Sequence, residues 1–222
     1  MRLLPRRLMS VSVLSTCESE LSPSLECEWL NALPPARRAQ IGRWPMRRDR
    51  HRSLVASRLL LAQLRRLGHP AGALATLHYP PRSRPTLELP LQFSLSHCDG
   101  RVVCALSTGG PVGVDVEALG SLHASDFALY LNAAERAWAG LSARRFCAVW
   151  TRKEAVAKAA GTAGLPSLPA VDTTAGPRRA AFAGQLWRTE PLALGAGHVG
   201  HVATADLDAA VTLEHLPAEA LL

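Results

Sequence analysis

Two neighbouring segments of different periodicity constrain the fold more than any other feature of the sequence. The first, GVDVEAL, alternates valines with Gly113, Asp115 and Glu117, which predicts a strand whose two acidic side chains leave the same face. The second, SARRFCAVWTRKEAVAKAAG, predicts a helix that begins near Ser142 and ends at Gly161. Together they predict a domain that mixes strands with helices.

Other patterns add strands and helices on both sides of this pair. In chain order, they predict a strand near 9–15, a helical stretch over 22–41 interrupted at Pro34 and Pro35, a helix over 49–67, a loop over 78–90, a hairpin over 93–103, a helix-rich stretch over 124–141 and an antiparallel sheet over 185–216. Each half of the chain therefore mixes helices with hairpin strands.

Composition narrows the class of protein. Hydrophobic residues make up 48% of the 222 residues and charged residues 19%, which is typical of a folded domain, and no apolar run reaches the length of a membrane span. The five cysteines form no C-x-x-C pair, so we expect reduced thiols and a cytoplasmic location. The N-terminal MRLLPRRLMSVSVLSTC has features of a weak export signal, but its apolar part is short, and a first strand is the better interpretation.

Charge is unevenly distributed along the chain. Residues 1–85 hold 15 arginines against 5 acids, whereas residues 86–222 hold 10 basic residues against 13 acids. The first half is therefore a candidate surface for a nucleotide, a nucleic acid or an acidic protein. Only two of the 25 basic residues are lysines, Lys153 and Lys158, and their position in one helix indicates a local need for a compact ammonium group.

Three short segments carry residues that can do chemistry. Asp115 and Glu117 can chelate one hard cation, although two solvated acids on an exposed strand would give the same pattern. Glu154 and Lys158 are spaced by four, which alone describes a surface salt bridge. His97 stands at a strand end beside a turn, where a single histidine is usually structural.

Taken together, FSLSHCDG, GVDVE and FCAVWTRKEAVAKAAGTAGLP resemble, in order and spacing, the three signature motifs of Sfp-type 4′-phosphopantetheinyl transferases. The segments RRDRHRSL and SRP extend the resemblance weakly, so that it covers about residues 8–170. It implies an α+β fold of two similar halves with pseudo-twofold symmetry. The turn sequence STGGP over 107–111 predicts the boundary between them, with residues 1–108 on the adenosine side and 109–222 with the metal site and catalytic helix. Coenzyme A would lie in the cleft between the halves of a monomer.

The resemblance also implies an activity and its partners. Such enzymes transfer the 4′-phosphopantetheine arm of coenzyme A to a serine of an acyl, peptidyl or aryl carrier protein and release 3′,5′-ADP. The implied cofactor is Mg²⁺, with Mn²⁺ as the alternative. The implied partner is an acidic apo carrier protein or carrier domain of fatty acid, polyketide or nonribosomal peptide synthesis, with no nucleic acid and no membrane.

By the same resemblance, individual residues receive roles. Those matching the metal ligands are Asp115, Glu117 and Glu154. Those matching the catalytic groups are Glu154 as general base, directly or through water, Lys158 on a phosphate, and His97. Ser96 and His97 match contacts to the pyrophosphate, and Arg37, Ser53 and Arg84 fall where the family binds the 3′-phosphate and adenosine. Two of these are arginines where relatives have lysine, and Gln40 replaces a further family lysine.

Two other functions remain open at this point. A nucleic-acid-binding protein would suit the basic first half, but aromatic residues make up only 5% of the chain and no binding motif is visible. A catalytically silent relative that only holds a carrier protein would not need the three acids and both lysines.

Overall fold

The computed structural model describes residues 10–18, 20–80, 83–162 and 164–221. Its strands are β1 (Ser10–Cys17), β2 (Gln92–Cys98), β3 (Arg101–Ser107), β4 (Val112–Ala118), β5 (Arg179–Phe182), β6 (Gln185–Pro191), β7 (His198–Thr204) and β8 (Ala210–His215). Its α-helices are α1 (Pro23–Asn31), α2 (Pro35–Gly42), α3 (Arg47–Arg66), α4 (Ala133–Ala139) and α5 (Ala143–Ala159). The α+β class is confirmed.

The first sheet has the order β2-β3-β1-β8, and α3 packs its leucines against it. The predicted first strand and the hairpin are confirmed, although Met9 lies outside the described residues. The prediction that the whole C-terminal tail forms an antiparallel sheet is wrong, because β8 leaves the neighbouring strands and runs parallel to β1. Alternation determines which face of a strand is buried but does not determine its partner.

The second sheet has the order β4-β7-β6-β5, with antiparallel pairing throughout. The valines of β4 pack with Val11 and Val13 of β1 in one apolar cluster, so the predicted valine face lies between the two sheets. The boundary at residues 108 and 109 stays a prediction. The strand β8 follows the strands of the second sheet in the chain but belongs to the first sheet.

Local signals explain most of the helix ends. Ser22 caps α1 by accepting a hydrogen bond from the backbone N–H of Leu25, and Pro34–Pro35 separates α1 from α2 as predicted. The stretch predicted as helix-rich over 124–141 contains only a 3₁₀ turn and α4, because Asn132 starts a new helix with a capping box. Among the described helices, none combines the length and the apolar character needed to cross a membrane.

Candidate functional site

A cavity of about 490 Å³ opens between the first sheet with its helices and the pair formed by β4 and α5. This volume lies within the range of pockets that bind small molecules and cofactors. Most of the residues that the sequence predicted for the site line this cavity: Arg37, Ser53, Ser96, His97, Asp115, Glu117, Glu154 and Lys158. Residues far apart in sequence therefore meet in one place.

The close contact between β4 and α5 depends on Gly113. A Cβ atom at this position would lie 2.0 Å from the carbonyl oxygen of Ala155 and 2.5 Å from the backbone nitrogen of Ala159. Only glycine leaves room for the helix backbone to approach the strand this closely. The acidic face of β4 consequently packs against α5 rather than facing solvent, which rules out the interpretation of Asp115 as a solvated surface acid.

Asp115 and Lys158 form an ion pair at the floor of the cavity. Lys158 Nζ lies 2.6 Å from Asp115 Oδ1, and the hydroxyl of Ser96 donates to the same oxygen at 2.8 Å. The other oxygen, Asp115 Oδ2, is buried and has no hydrogen-bond partner among the described residues. A buried carboxylate oxygen without a donor costs free energy and indicates that a donor or cation is missing from the protein alone.

Negative charge exceeds positive charge at this floor. Burial, and then the charge of Asp115, raise the pKa of Glu117 to about 7. Burial raises the pKa of Glu154 as well; Lys158 opposes this shift and Asp115 adds to it. Burial alone would lower the pKa of Lys158, but the three carboxylates outweigh it and raise that pKa. One ammonium group thus faces three acids.

The three acids do not by themselves form a ready metal site. Across the described ranges, no group of three His, Cys, Asp or Glu side chains has the arrangement of a metal-ligand set. Nevertheless, the unpartnered Asp115 Oδ2 and the crowded charges of Glu117 and Glu154 fit a cation, because Mg²⁺ binds oxygen ligands and needs only one or two carboxylates beside phosphate oxygens.

The turn after His97 is anchored by a charge network. Arg52 binds both oxygens of Glu18 at 2.9 Å and also pairs with Asp99, two residues after His97. The side chain of His97 is exposed in the cleft, but the surrounding protein displaces part of its water. This desolvation, and then the positive charges of Arg52 and Lys158, lower the pKa of His97. His97 therefore favours the neutral form.

The other end of the cavity is built around Arg37. Its guanidinium donates to the hydroxyl of Ser53 and to Gln40 Oε1, the latter at 2.7 Å, and lies 3.5 Å from the ring centre of Tyr79. Burial lowers the pKa of Arg37, and Tyr79 opposes this shift. Within the described chain, no carboxylate forms an ion pair with this guanidinium. Arg37 is therefore a buried cation at the cavity wall.

Some site features were not expected from the sequence. Tyr79 and Trp44 line the cavity, although nothing in their local pattern singles them out beyond being aromatic residues close to prolines. Arg84 lies instead beside a neighbouring cavity of about 150 Å³ that shares Lys158 with the main one. Lys153 lies outside the cavity in the core, where it pairs with Glu135 at 2.8 Å.

The strand β4 and the helix α5, which carry the acids and Lys158, lie within the part of the chain that matches a known protein family. Residues 111–209 match the 4′-phosphopantetheinyl transferase superfamily. The match covers just under half of the chain and contains Asp115, Glu117, Glu154 and Lys158, whereas Ser96 and His97 precede it. It supports phosphopantetheine transfer in general. No curated protein matches the sequence significantly.

Proposed function

We propose that this protein is an Sfp-type 4′-phosphopantetheinyl transferase that moves the phosphopantetheine arm of coenzyme A onto a serine of an apo carrier protein. The observation that carries the proposal is the convergence of Ser96 and His97 from the first sheet with the acids and Lys158 of the matched region on one cavity. A superfamily domain with an incomplete site would lack this contribution from outside residues 111–209.

The cavity suits two parts of coenzyme A, the 3′-phosphoadenosine and the pyrophosphate. Arg37, with Tyr79 beside it, offers a buried cation and an aromatic face for the 3′-phosphate and adenosine. Lys158 and His97 lie toward the acidic floor, where the pyrophosphate would place its charge. The proposed arrangement therefore puts the adenosine on the arginine-rich side and the reacting phosphate beside α5, in a cleft between two halves.

In this proposal, the acids bind the metal and accept the proton of the carrier serine. Asp115 and Glu117, with Glu154, would hold Mg²⁺, which supplies charge neutralisation of the pyrophosphate when bound. Glu154 accepts the proton of the carrier serine, directly or through water, with a carboxylate oxygen that does not bind the metal. The serine oxygen then forms a bond to the pantetheine phosphorus, while the bond to 3′,5′-ADP breaks.

Lys158 stabilises the departing charge in this scheme. Its ammonium group is already oriented by Asp115 at 2.6 Å, and the raised pKa keeps it positively charged at neutral pH. Preoriented cations at a developing phosphate charge give large rate effects because they need no reorganisation during the reaction.

A direct assay tests the proposal. The protein is incubated with coenzyme A, Mg²⁺ and a panel of apo carrier proteins, and mass spectrometry detects the covalent phosphopantetheine and free 3′,5′-ADP. Matched controls are each carrier with its serine replaced by alanine, and the Asp115→Asn enzyme. Modification of at least one carrier only when its serine is present supports the proposal, and no modification of any carrier despite coenzyme A binding would contradict it.

The acidic nature of the carrier has its own test. Association with the arginine-rich first half should weaken as salt screens the charges, so the KM for the carrier should rise with salt more than the KM for coenzyme A. A carrier KM that is equal at low and high salt would contradict electrostatic docking while leaving the transferase activity intact. Sedimentation at the assay concentration tests the further proposal of a monomer.

A further inference from the structure

A second cavity, of about 390 Å³, lies beside α4 and α5 and shares no lining residue with the catalytic cavity. Trp138, Val149 and Pro177 form its apolar walls, and Arg152 lies at its base. Trp138 is 51% exposed, unusual for a side chain of this size. Cavities of this size with apolar walls and few polar groups are typical of small-molecule sites.

The state of Arg152 indicates what such a site would bind. The residue is only 8% exposed, and its Nε and Nη2 groups donate to the Thr189 hydroxyl and to the carbonyl oxygens of Gly176 and Arg179. Within the described ranges, no carboxylate lies at ion-pair distance and Nη1 has no hydrogen-bond partner. Burial lowers the pKa of Arg152, and the charges of Glu135 and Asp172, which lie beyond ion-pair distance, offset this shift only in part.

Three arginines are buried in the described part of the chain: Arg52 pairs with carboxylates, whereas Arg37, at the main cavity, and Arg152 do not. The side chain of Arg52 is 9% exposed and pairs with Glu18, Asp49 and Asp99. Arg152 is buried to the same degree without a carboxylate partner. The guanidinium of Arg152 therefore has room for one more anionic group, and Nη1 is available to bind it.

One acid, Glu135, also lines the second cavity, but its charge is already compensated. It pairs with Lys153 at 2.8 Å and accepts hydrogen bonds from the backbone N–H groups of Asn132 and Thr173 and from the Thr173 hydroxyl. Its proximity to Arg152 suits a ligand with a single negative charge better than a doubly charged phosphate.

We propose that this cavity binds a small organic carboxylate with an apolar body. The carboxylate would pair with Arg152, and the apolar part would pack against Trp138 and Val149. This site is separate from the transferase site, and its existence does not depend on the proposed activity.

Calorimetric titration of the full-length protein with phenylacetate and with phenylacetamide tests the proposal, because the two probes share shape and differ in charge. Phenylacetate should bind at least about tenfold more tightly than the amide, since the amide oxygen can still accept a hydrogen bond from arginine but carries no negative charge. Trp138→Ala changes an exposed position and should weaken phenylacetate binding about tenfold through lost apolar contact. Arg152→Lys should weaken it by a similar factor.

The matched control is Leu186→Ala, which removes another exposed apolar side chain outside the cavity and should leave binding unchanged. Thermal melts identify any variant that fails to fold; if Arg152→Lys does so, Trp138→Ala decides. Saturating coenzyme A should not displace phenylacetate. Equal binding of acid and amide, no binding of phenylacetate, an unaffected Trp138→Ala variant or displacement by coenzyme A would each overturn the proposal.

Discussion

The two lysines of α5 have opposite surroundings, although they lie five residues apart. Lys153 is fully buried and pairs with Glu135, which is also buried, at 2.8 Å. Lys158 is about 30% exposed on the wall of the main cavity and pairs with Asp115 at 2.6 Å. The two ion pairs have similar lengths, so distance alone does not distinguish their roles.

The difference lies in what surrounds each pair. The oxygens of Glu135 are all occupied, by Lys153, two backbone N–H groups and the Thr173 hydroxyl. Asp115 keeps one oxygen without a partner among the described residues, and two further acids crowd it. A buried ion pair whose polar atoms are all bonded stabilises the fold. An excess of negative charge at a cavity indicates instead a site that can bind a cation.

The largest expected effect is the loss of stability when the ion pair between Lys153 and Glu135 is broken. Lys153→Met should destabilise the protein by about 3–5 kcal/mol, because it leaves the charge of Glu135 buried and uncompensated. Chemical denaturation measures the loss. Adding Glu135→Gln should recover part of it, since glutamine is neutral and still accepts the capping hydrogen bond. The control is Arg66→Met, which removes an exposed ion pair of 2.7 Å to Glu214 and should cost no more than about 1 kcal/mol. Equal losses at the two positions would refute the distinction.

Next come the acids of the open site. Asp115→Asn, Glu117→Gln and Glu154→Gln should each lower turnover by about 10²–10³-fold, because each removes a group that holds the proposed metal or the transferred proton. Steady-state rates with a responsive carrier measure this, and a chelator should abolish the wild-type rate until Mg²⁺ is restored. Near-normal rates in two of the three variants, or in chelator, would remove the metal assignment.

Lys158 should show a loss of similar or smaller size. Lys158→Ala should cost about 2–4 kcal/mol in kcat/KM, the scale for one charged transition-state contact. Lys158→Arg should recover only part, because the planar guanidinium reaches a phosphate oxygen from a different direction. Kinetics and melts of both variants are compared. Normal turnover in Lys158→Ala would return this residue to a structural role like that of Lys153.

The smallest expected effect is on stability, where replacing glutamate by glutamine should have opposite signs at positions 117 and 135. Without metal and at a pH above about 7, where Glu117 is ionised, Glu117→Gln should raise stability by about 0.5–1 kcal/mol, because it removes a charge that is disfavoured by burial and repelled by Asp115. Glu135→Gln should lower stability, because it removes the partner of Lys153. Thermal melts with and without Mg²⁺ make the comparison, and Mg²⁺ should stabilise the wild type more than Glu117→Gln. A lower melting temperature for metal-free Glu117→Gln would show that the open site is not overcharged.

Much of the local structure around the site could be predicted from the sequence. The alternation in GVDVEAL predicted β4 and its valine face, and the capping Ser142 and the closing Gly161 predicted the ends of α5 within about two residues. The motifs also named residues that the structure brings to one cavity, although the sequence could not show the distances between them. The roles of these residues stay predictions that the variants above test.

Local periodicity was sufficient for those elements because side-chain direction follows directly from backbone geometry: every second residue of a strand, and every third or fourth of a helix, shares a face. Three features depended on the tertiary structure instead: the parallel pairing of β8 with β1, the partner of Lys153 in Glu135, and the buried free oxygen of Asp115. The first two features join groups that are far apart in sequence, and the third depends on how β4 packs against its neighbours, so none of them has a periodic signal. Their pairing is decided by which surfaces bury the most apolar area and leave the fewest charges uncompensated, and only the folded chain sets that balance.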